Sequence, residues 1–213
     1  LVRGLLRVYH NYLTLLAENQ RDRLTGLLNR KTFDDQILKI IEYKKLHEEN
    51  TEDGELRRRS IKYRREFWLG IMDIDDFKKI NDTFGHLYGD DVLILIARLM
   101  TKYFRHDDLL FRYGGEEFVV ILESSSRDEA ISVFERFRKA VASYGFPQEL
   151  LVTVSTGVVQ ITPWDVPTTF VGHADQALYY AKNSGKNRIC VYEDLVADGS
   201  LKSETRDGGL EFF

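Results

Sequence analysis

Three carboxylates beside short apolar segments are the residues of this sequence best suited to chemistry. Asp73 follows the apolar run Phe67–Met72, and Glu116 and Glu117 come directly after the glycine pair Gly114–Gly115. Two carboxylates held close together repel each other unless a cation offsets their charge. Oxygen ligands select a hard cation such as Mg²⁺ or Mn²⁺, which can bridge phosphates and stabilise an in-line displacement. These residue types therefore predict a metal site for phosphoryl transfer.

The hydrophobic pattern predicts strands that would bring these acids to one edge of a sheet. The run 67–72 is typical of a buried strand, and strands at 109–113 and 118–122 are joined by the glycine hairpin. In a split β-α-β-β arrangement the hairpin pairs beside the first strand, which would place Asp73 near Glu116. Acidic residues are also common at strand ends without any metal, and that alternative stays open. The glycines favour a site, because they leave room for a phosphate chain to approach the backbone.

The remaining periodicities predict helices between the strands. The order strand, helices, hairpin, helix, strand, helix, strand predicts an α+β sandwich, with one sheet faced by helices. One helix is expected to start near Thr32, and others are expected at about 75–83, 92–104, 127–143 and 168–183. Further strands are expected at 151–161 and 188–192.

Composition excludes some classes of protein and function. The net charge is −4 and the pI is near 5.8, which argues against a general nucleic-acid binder. The single cysteine, Cys190, excludes an internal disulfide and a cysteine metal site. No apolar run is long enough to cross a bilayer and no signal peptide is evident, so we expect a cytoplasmic domain. The chain begins at Leu1 inside a helical pattern, which suggests a piece of a longer protein that could be membrane-anchored upstream.

Five motifs occur along the chain in a fixed order: Asp22–Arg30, Asp73–Asp82, Gly85-His86 with Gly89-Asp90, Arg112–Phe118, and Ala181–Arg188. Together they resemble the GGDEF-domain diguanylate cyclases, with the signature in its GGEEF form. The resemblance covers roughly residues 22–192 and implies a ferredoxin-like, palm-type nucleotidyl cyclase fold with a central, mostly antiparallel sheet flanked by helices. It also implies a reaction in which two GTP condense to cyclic di-GMP with release of two pyrophosphates, in a homodimer whose subunits each hold one GTP.

The resemblance implies roles for the residues around the predicted metal. Asp73 and Glu116 would bind Mg²⁺ or Mn²⁺, with the backbone carbonyl of Ile74 completing the ligand set. Glu116 or Glu117 would help to deprotonate the ribose 3′-hydroxyl. Lys78 would stabilise charge on the transferring phosphate, with a solvated helix lysine as the alternative.

Further residues match the family's nucleotide contacts. Asn81 and Asp90 would read guanine, because a carboxylate can accept from the N1 and N2 protons together and adenine lacks that pair. A branch of the family with serine in place of Asp90 makes a mixed dinucleotide, so Asp90 favours the ordinary product. Phe77 is equally compatible with plain core. The remaining contacts implied are a pocket lined by His86, Leu24 and Phe77, and outer phosphates bound by Lys182 and Lys186.

An RxxD element resembles the family's inhibitory site, at which the product binds. Arg105 and Asp108 would hold cyclic di-GMP, with Arg136 completing the site, and a local ion pair at a helix end is the alternative. A second reading of the chain follows from this site: a catalytically silent cyclic di-GMP receptor. The intact glycines and acids of the signature favour an enzyme, and relaxed purine choice is a further alternative.

Three segments lie outside the motifs. Residues 1–21 have the spacing of a helix, either the end of a signalling stalk below a missing sensory domain or a helix docked on its own domain. Residues from about 42 to 66 form a highly charged insertion, most simply a solvated surface, with phosphate binding as the alternative. Residues 194–213 are rich in Gly, Asp, Ser and Glu, and we expect a mostly mobile tail after a catalytic domain at 22–193.

Overall fold

A computed structural model describes residues 19–49 and 66–202 of the chain. Most of the predicted N-terminal helix (residues 1–18), the centre of the charged insertion (50–65) and the end of the predicted tail (203–213) lie outside the described residues. Within the described ranges, no helix combines the length and the apolar character that crossing a membrane requires.

One six-stranded sheet organises the fold, with strand order β1-β3-β4-β2-β5-β6. The central pairs β3–β4, β4–β2 and β2–β5 are antiparallel, and the outer pairs β1–β3 and β5–β6 are parallel. The predicted α+β class with a mostly antiparallel sheet is confirmed. The elements are β1 (Leu28–Asn29), α1 (Arg30–Glu49), β2 (Glu66–Ile74), α2 (Phe77–Phe84), α3 (His86–Tyr103), β3 (Leu109–Gly114), β4 (Glu117–Ser124), α4 (Arg127–Ala142), a 3₁₀ turn (Pro147–Glu149), β5 (Val154–Ile161), α5 (Pro167–Asn183), β6 (Ile189–Val191) and α6 (Tyr192–Ala197).

Strand β2 lies at the centre of the sheet and is covered on both faces. Leu69 and Ile71 belong to the core shared with α1 and α5, whereas Met72 and Ile74 belong to the core shared with α2, α3 and α4. This two-sided burial explains why the run reads as continuously apolar rather than alternating. It also means that Asp73, only 6% exposed, lies next to the end of a strand that solvent hardly reaches.

Helix α5 lies directly against β5 because residue 157 is a glycine. A Cβ atom on Gly157 would come within 2.0 Å of the Ala174 carbonyl oxygen and 2.4 Å of the Leu178 nitrogen. A side chain here would therefore push the helix away from the sheet. The close approach holds the last turn of α5, which carries Lys182, beside the end of β2.

Two boundaries differ by three residues or more from the sequence-based expectation, and a helix extends past a third. Helix α3 begins at His86 rather than near residue 92, because Gly89 lies inside the helix instead of breaking it. Strand β5 begins at Val154 rather than residue 151. Helix α6 continues through Ala197, past the expected start of the tail, because Leu195 is buried against the core shared with α1 and α5.

Candidate active site

Antiparallel pairing of β2 with β4 brings the predicted acids to one end of the sheet. The register sets Asp73 opposite Glu117, and Glu116 precedes Glu117 in the turn. Burial raises the pKa of the Glu116 carboxyl, and the charge of Asp73 raises it further. Ile74, the expected carbonyl ligand, follows Asp73 as the last residue of β2. The fold therefore assembles the acidic set that the sequence predicted at this edge.

An ammonium group already neutralises part of this acidic set. The Lys182 Nζ atom lies 2.8 Å from Asp73 Oδ1. Burial raises the pKa of Asp73, and the Lys182 contact partly offsets that increase. Lys182 was expected at the outer phosphates of a nucleotide, so its contact with Asp73 links the predicted phosphate and metal positions.

The acidic set suits a hard divalent cation. Across residues 19–49 and 66–202, no group of three or more His, Cys, Asp or Glu side chains is arranged to hold a metal ion. The expected ligand set has only two such side chains, with a backbone carbonyl as the third ligand, but Mg²⁺ is commonly bound by one or two carboxylates together with substrate phosphates. All the donors are oxygen atoms, which such an ion prefers. The ammonium group of Lys182 beside Asp73 shows that this site already accommodates a positive charge.

The signature turn is held in place by an arginine to which the sequence reasoning gave no role. Gly115 has a φ of +50°, and its carbonyl oxygen accepts hydrogen bonds from Arg112 Nη2 at 2.8 Å and Nε at 3.0 Å. Arg112 Nη1 also lies 3.2 Å from Asp22 Oδ1, and Asp22 accepts a bond from the Thr25 hydroxyl at 2.7 Å. Leu24, which lies between Asp22 and Thr25 in the sequence, is partly buried against the core. In the sequence, the opposite charges of Asp22 and Arg112, which belong to two separate motifs, are the feature from which this contact could have been predicted.

The second acid of the signature faces different neighbours from the first. Burial raises the pKa of Glu117, and the charge of Asp175 on α5 raises it further. Close by, the Arg30 guanidinium lies 4.5 Å from the centroid of the Tyr113 ring. The charge of Glu117 also raises the pKa of Asp73, so both signature acids lie within electrostatic reach of Asp73.

Asp75 has a structural function, although it stands in the same motif. It is buried, and both of its carboxylate oxygens are used by the protein. The donors are Thr153 Oγ1 at 2.6 Å, Ser155 Oγ at 2.7 Å and the backbone nitrogen of Asn187 at 3.0 Å. These bonds tie the end of β2 to β5 and to the loop after α5, and they leave Asp73 as the better placed metal ligand.

The start of helix α2 lies beside the acidic set and presents positive charge. Asp76, at φ +56°, precedes the helix without capping it through its side chain. Its carboxylate instead contacts Lys79 Nζ at 2.8 Å and Lys186 Nζ at 2.7 Å, and these hydrogen bonds lower its pKa to about 2. Lys78 is exposed in the first turn. A helix N-terminus flanked by lysines can bind phosphate oxygens.

Asn81, one of the two predicted guanine-reading residues, lies against a glycine inside α3. A Cβ atom on Gly89 would lie 2.0 Å from Asn81 Oδ1 and 3.2 Å from Phe77 Cζ. Asp90 is the next residue and is half-buried, and His86 is exposed at the start of the helix. Phe77 is buried in the core, as its alternative interpretation held. The missing side chain of Gly89 thus creates the space that the Asn81 amide occupies.

If Asn81 reads guanine as the resemblance implies, Gly89→Ala should impair GTP binding without unfolding the protein. Alanine normally stabilises a helix interior by about 1 kcal/mol relative to glycine, but here its methyl group would displace the Asn81 amide. The KM for GTP should rise by about tenfold or more, as when a hydrogen bond to a substrate is lost. Gly172→Ala in α5 is the matched control, because its Cβ would meet nothing within 4 Å. Equal KM values for the two variants would contradict the role given to Gly89.

The three residues of the predicted inhibitory site lie close together. The backbone nitrogen of Arg105 donates to Asp108 Oδ2 at 2.7 Å, and Arg136 Nη2 donates to the Tyr103 carbonyl at 2.9 Å. Burial raises the pKa of Asp108, and the charges of Arg105 and Arg136 lower it. The Arg105 guanidinium pairs with Glu129 Oε1 at 3.1 Å, so a local ion pair exists, but its acid is Glu129.

Comparison with known proteins defines the class to which this fold and site belong. Residues 19–188 match the family described as "Diguanylate cyclase, GGDEF domain". The chain is therefore a member of the GGDEF family, as the motifs predicted. Diguanylate cyclase DgcP of Pseudomonas aeruginosa is 36% identical over 193 residues, which cover 87% of this chain and 26% of that protein. Diguanylate cyclase DgcM of Escherichia coli is 38% identical over 168 residues, which cover 79% of this chain and 37% of that protein.

A solved structure agrees with the family assignment. The coiled coil and GGDEF domain of DgcB from Caulobacter crescentus, in complex with c-di-GMP, superimposes with a TM-score of 0.74 at 26% identity. The match covers 89% of this chain and 94% of that one. The chain spans between about a quarter and two fifths of the two curated relatives, so it corresponds to one part of longer proteins.

Proposed function

We propose that this chain is a diguanylate cyclase that condenses two GTP to cyclic di-GMP and releases two pyrophosphates. The observation that carries the proposal is the pairing of Asp73 with the signature hairpin, which puts Glu116 within electrostatic reach of Asp73. Membership of the GGDEF family supports it. The rival proposal, a silent cyclic di-GMP receptor, gains no support from the site, because both acids and both glycines of the hairpin are present.

A divalent cation, Mg²⁺ or Mn²⁺, would be held by Asp73, Glu116 and the carbonyl of Ile74. When bound, such an ion makes a hydroxyl more acidic and neutralises charge on phosphate oxygens. Glu116, whose pKa burial already raises, is suited to accept a proton from the ribose 3′-hydroxyl, with Glu117 as the second candidate. The pKa values of Asp73 and Glu116 are both raised, so these carboxylates accept protons more readily than ordinary ones do.

The cationic groups around the acids would bind the triphosphate. Lys182 and Lys186 supply point charges for the outer phosphates, and Lys78 at the start of α2 supplies one for the transferring phosphate. Each lysine is near an acid in the described structure or solvent-exposed, so each is free to exchange its partner for a phosphate. Arg112 keeps the Gly115 carbonyl fixed and thereby fixes the position of Glu116.

Guanine would be selected at the other end of the nucleotide. Asp90 and Asn81 read the base, and His86, Leu24 and Phe77 border the pocket. Phe77 contributes mainly from the core side, where both it and Asn81 lie against Gly89. Because each subunit carries one GTP site, the reaction needs a homodimer in which two sites face each other.

The domain organisation is part of the proposal. Residues 22–193 form the catalytic domain, and residues 1–21 connect it to an upstream sensory domain that would control dimer geometry. The insertion at 42–66 avoids every motif, so it would affect regulation rather than chemistry. A cytoplasmic location fits the GTP substrate, since GTP is a cytoplasmic metabolite.

The proposal is tested by incubating the purified chain with GTP and Mg²⁺ and measuring pyrophosphate release together with cyclic di-GMP. We expect activity that EDTA abolishes, that rises more than linearly with protein concentration, and that Glu116→Ala lacks. A folded, dimeric wild-type protein that leaves GTP intact would refute the proposed function and favour the receptor.

The proposed inhibitory site gives a separate prediction. Arg105→Ala should weaken inhibition by cyclic di-GMP by at least about tenfold, because a charge-assisted contact is lost, while initial turnover stays unchanged. The measurement is the initial rate at increasing cyclic di-GMP concentration. Unaltered inhibition in this variant would remove Arg105 from the site.

Glu129 should act in the opposite direction at the same site. Ser125 and Ser124 donate to Glu129 Oε2, with the Ser125 hydroxyl at 2.6 Å, and these bonds with Arg105 lower the pKa of Glu129 to about 2. The carboxylate is therefore ionised and competes with the product for Arg105. Glu129→Gln should tighten cyclic di-GMP binding roughly three- to fivefold, the size expected of an exposed ion pair.

A further inference from the structure

The loop between α5 and β6 carries Lys186 in an unusual backbone conformation. Gly185, Lys186 and Asn187 have φ values of +108°, +61° and +46°. Residues with side chains rarely adopt this left-handed region, although asparagine tolerates it better than lysine. A run of this kind persists only where its surroundings hold it in place. The contacts of Asn187 identify what holds it.

Two charged side chains, those of Asp75 and Arg138, hold Asn187. Asp75 Oδ2 accepts its backbone N–H at 3.0 Å. Arg138, on α4, donates from Nη1 to the Asn187 side-chain oxygen at 2.6 Å and to its carbonyl oxygen at 3.1 Å. Both backbone polar groups of Asn187 are thereby fixed by the protein.

Arg138 is itself held rigidly. Its Nε and Nη2 atoms form a fork on Glu135, at 2.8 Å and 2.6 Å, one turn earlier in α4. The Arg138 side chain is only 16% exposed. All three guanidinium nitrogens are therefore engaged, and only a planar fork can hold Glu135 and Asn187 together in this way.

The same loop presents Lys186 to the proposed phosphate region. Its Nζ atom lies 2.7 Å from Asp76 Oδ2, at the start of helix α2. A continuous path of contacts thus runs from Arg138 on α4, through Asn187, to the lysine beside the active-site end of the sheet. Arg138, the residue of this path that lies farthest from the active-site end of the sheet, belongs to a helix that carries none of the proposed substrate contacts.

We infer that Arg138 is a positioning residue for GTP binding, which acts through Asn187 to direct Lys186 at the outer phosphates. This inference rests on the proposed function, because it assigns the phosphates of GTP to Lys186. The simpler possibility is that Arg138 only braces α4 against the loop. The two possibilities differ in one respect. If Arg138 only braced α4 against the loop, the effect of removing it on GTP binding would not depend on whether the Lys186 side chain is present.

A double-mutant cycle separates these possibilities. Arg138→Ala should raise the KM for GTP by roughly three- to tenfold and Lys186→Ala by about tenfold or more, with smaller changes in kcat. The double variant should match Lys186→Ala alone, because the effect of Arg138 passes through that lysine. Arg138→Lys keeps the charge but loses the fork, so its KM should lie between those of the wild type and Arg138→Ala.

The matched control is Arg127→Ala on the same helix, whose partners are Asp128 and Asp194 and which should leave KM unchanged. Thermal unfolding of every variant checks that it is folded, and Arg138→Lys replaces Arg138→Ala if the latter is not. An unchanged KM in Arg138→Ala, or additive losses in the double variant, would overturn the inference. The same cycle can be measured as dissociation constants by titrating each variant with a non-hydrolysable GTP analogue. This measurement tests the inference even if the wild type makes no cyclic di-GMP.

Discussion

Glu116→Gln should abolish cyclic di-GMP formation and at the same time stabilise the folded protein at neutral pH. The loss of turnover should reach at least about a hundredfold, the scale on which preorganised electrostatic groups act in active sites. The neutral amide keeps the size of the side chain, so the hairpin with Arg112 and Gly115 should remain intact. Initial rates with GTP and Mg²⁺ measure the first effect, and thermal unfolding without metal measures the second.

The direction of the stability effect follows from the pKa of Glu116. Burial and the charge of Asp73 raise this pKa above its ordinary value, so the folded state binds more protons than the unfolded state between the two pKa values. Stability is therefore highest below the unfolded pKa and falls as the pH rises through the folded pKa. At neutral pH the ionised carboxylate costs stability, and glutamine removes that cost.

The same reasoning predicts how metal and pH interact. A divalent cation binds the ionised carboxylates, so Mg²⁺ should stabilise the wild type by mass action and should stabilise Glu116→Gln much less. Because the pKa values of Asp73 and Glu116 are both raised, metal binding should weaken on acidification at a higher pH than ordinary carboxylates would require. A Glu116→Gln variant that keeps wild-type turnover, or is stabilised by Mg²⁺ as strongly as the wild type, would contradict this account of the site.

Asp90→Ser should produce the second large effect, a loss of guanine selection. A site built to hydrogen-bond a substrate discriminates strongly against an analogue without the matching groups, so we expect kcat/KM for GTP to fall about a hundredfold or more. The preference for GTP over ATP should shrink with it, and a GTP and ATP mixture should yield mixed dinucleotides. The measurement is product analysis by mass spectrometry together with kcat/KM for each nucleotide.

Asp91→Asn is the control for this prediction. Asp91 is adjacent in sequence and exposed on the same helix, and it has no place in the proposed site. Its variant should keep both the rate and the GTP preference. If Asp90→Ser also keeps both, guanine is read by other residues and the pocket beside Gly89 is misassigned.

The sequence predicted the sheet and the acidic edge well because both depend on local patterns. The apolar run before Asp73 and the two glycines before Glu116 each specify one strand end, and antiparallel pairing then brings the two ends together. The start of α3 was missed for a physical reason. Gly89 resembles a helix breaker in the sequence, but in the fold it makes room for the Asn81 amide.

Contacts between distant segments were the part that the sequence left unpredicted. Arg138 bonds to Asn187 across 49 positions, and Arg112 bonds to Asp22 across 90. Neither pair has a periodic or adjacent signal, because the partners meet only once the helices have packed on the sheet. Lys182 was predicted at a phosphate, but its contact with Asp73 required knowledge of how closely α5 packs at Gly157.

The most direct test of the central claim is a count of products made by the purified chain. Given GTP and Mg²⁺, the wild type should form one cyclic di-GMP for every two pyrophosphates, and Glu116→Gln should form neither above background. A wild type that binds cyclic di-GMP but releases no pyrophosphate would contradict the claim. It would identify the chain as a receptor whose acidic edge is not catalytic.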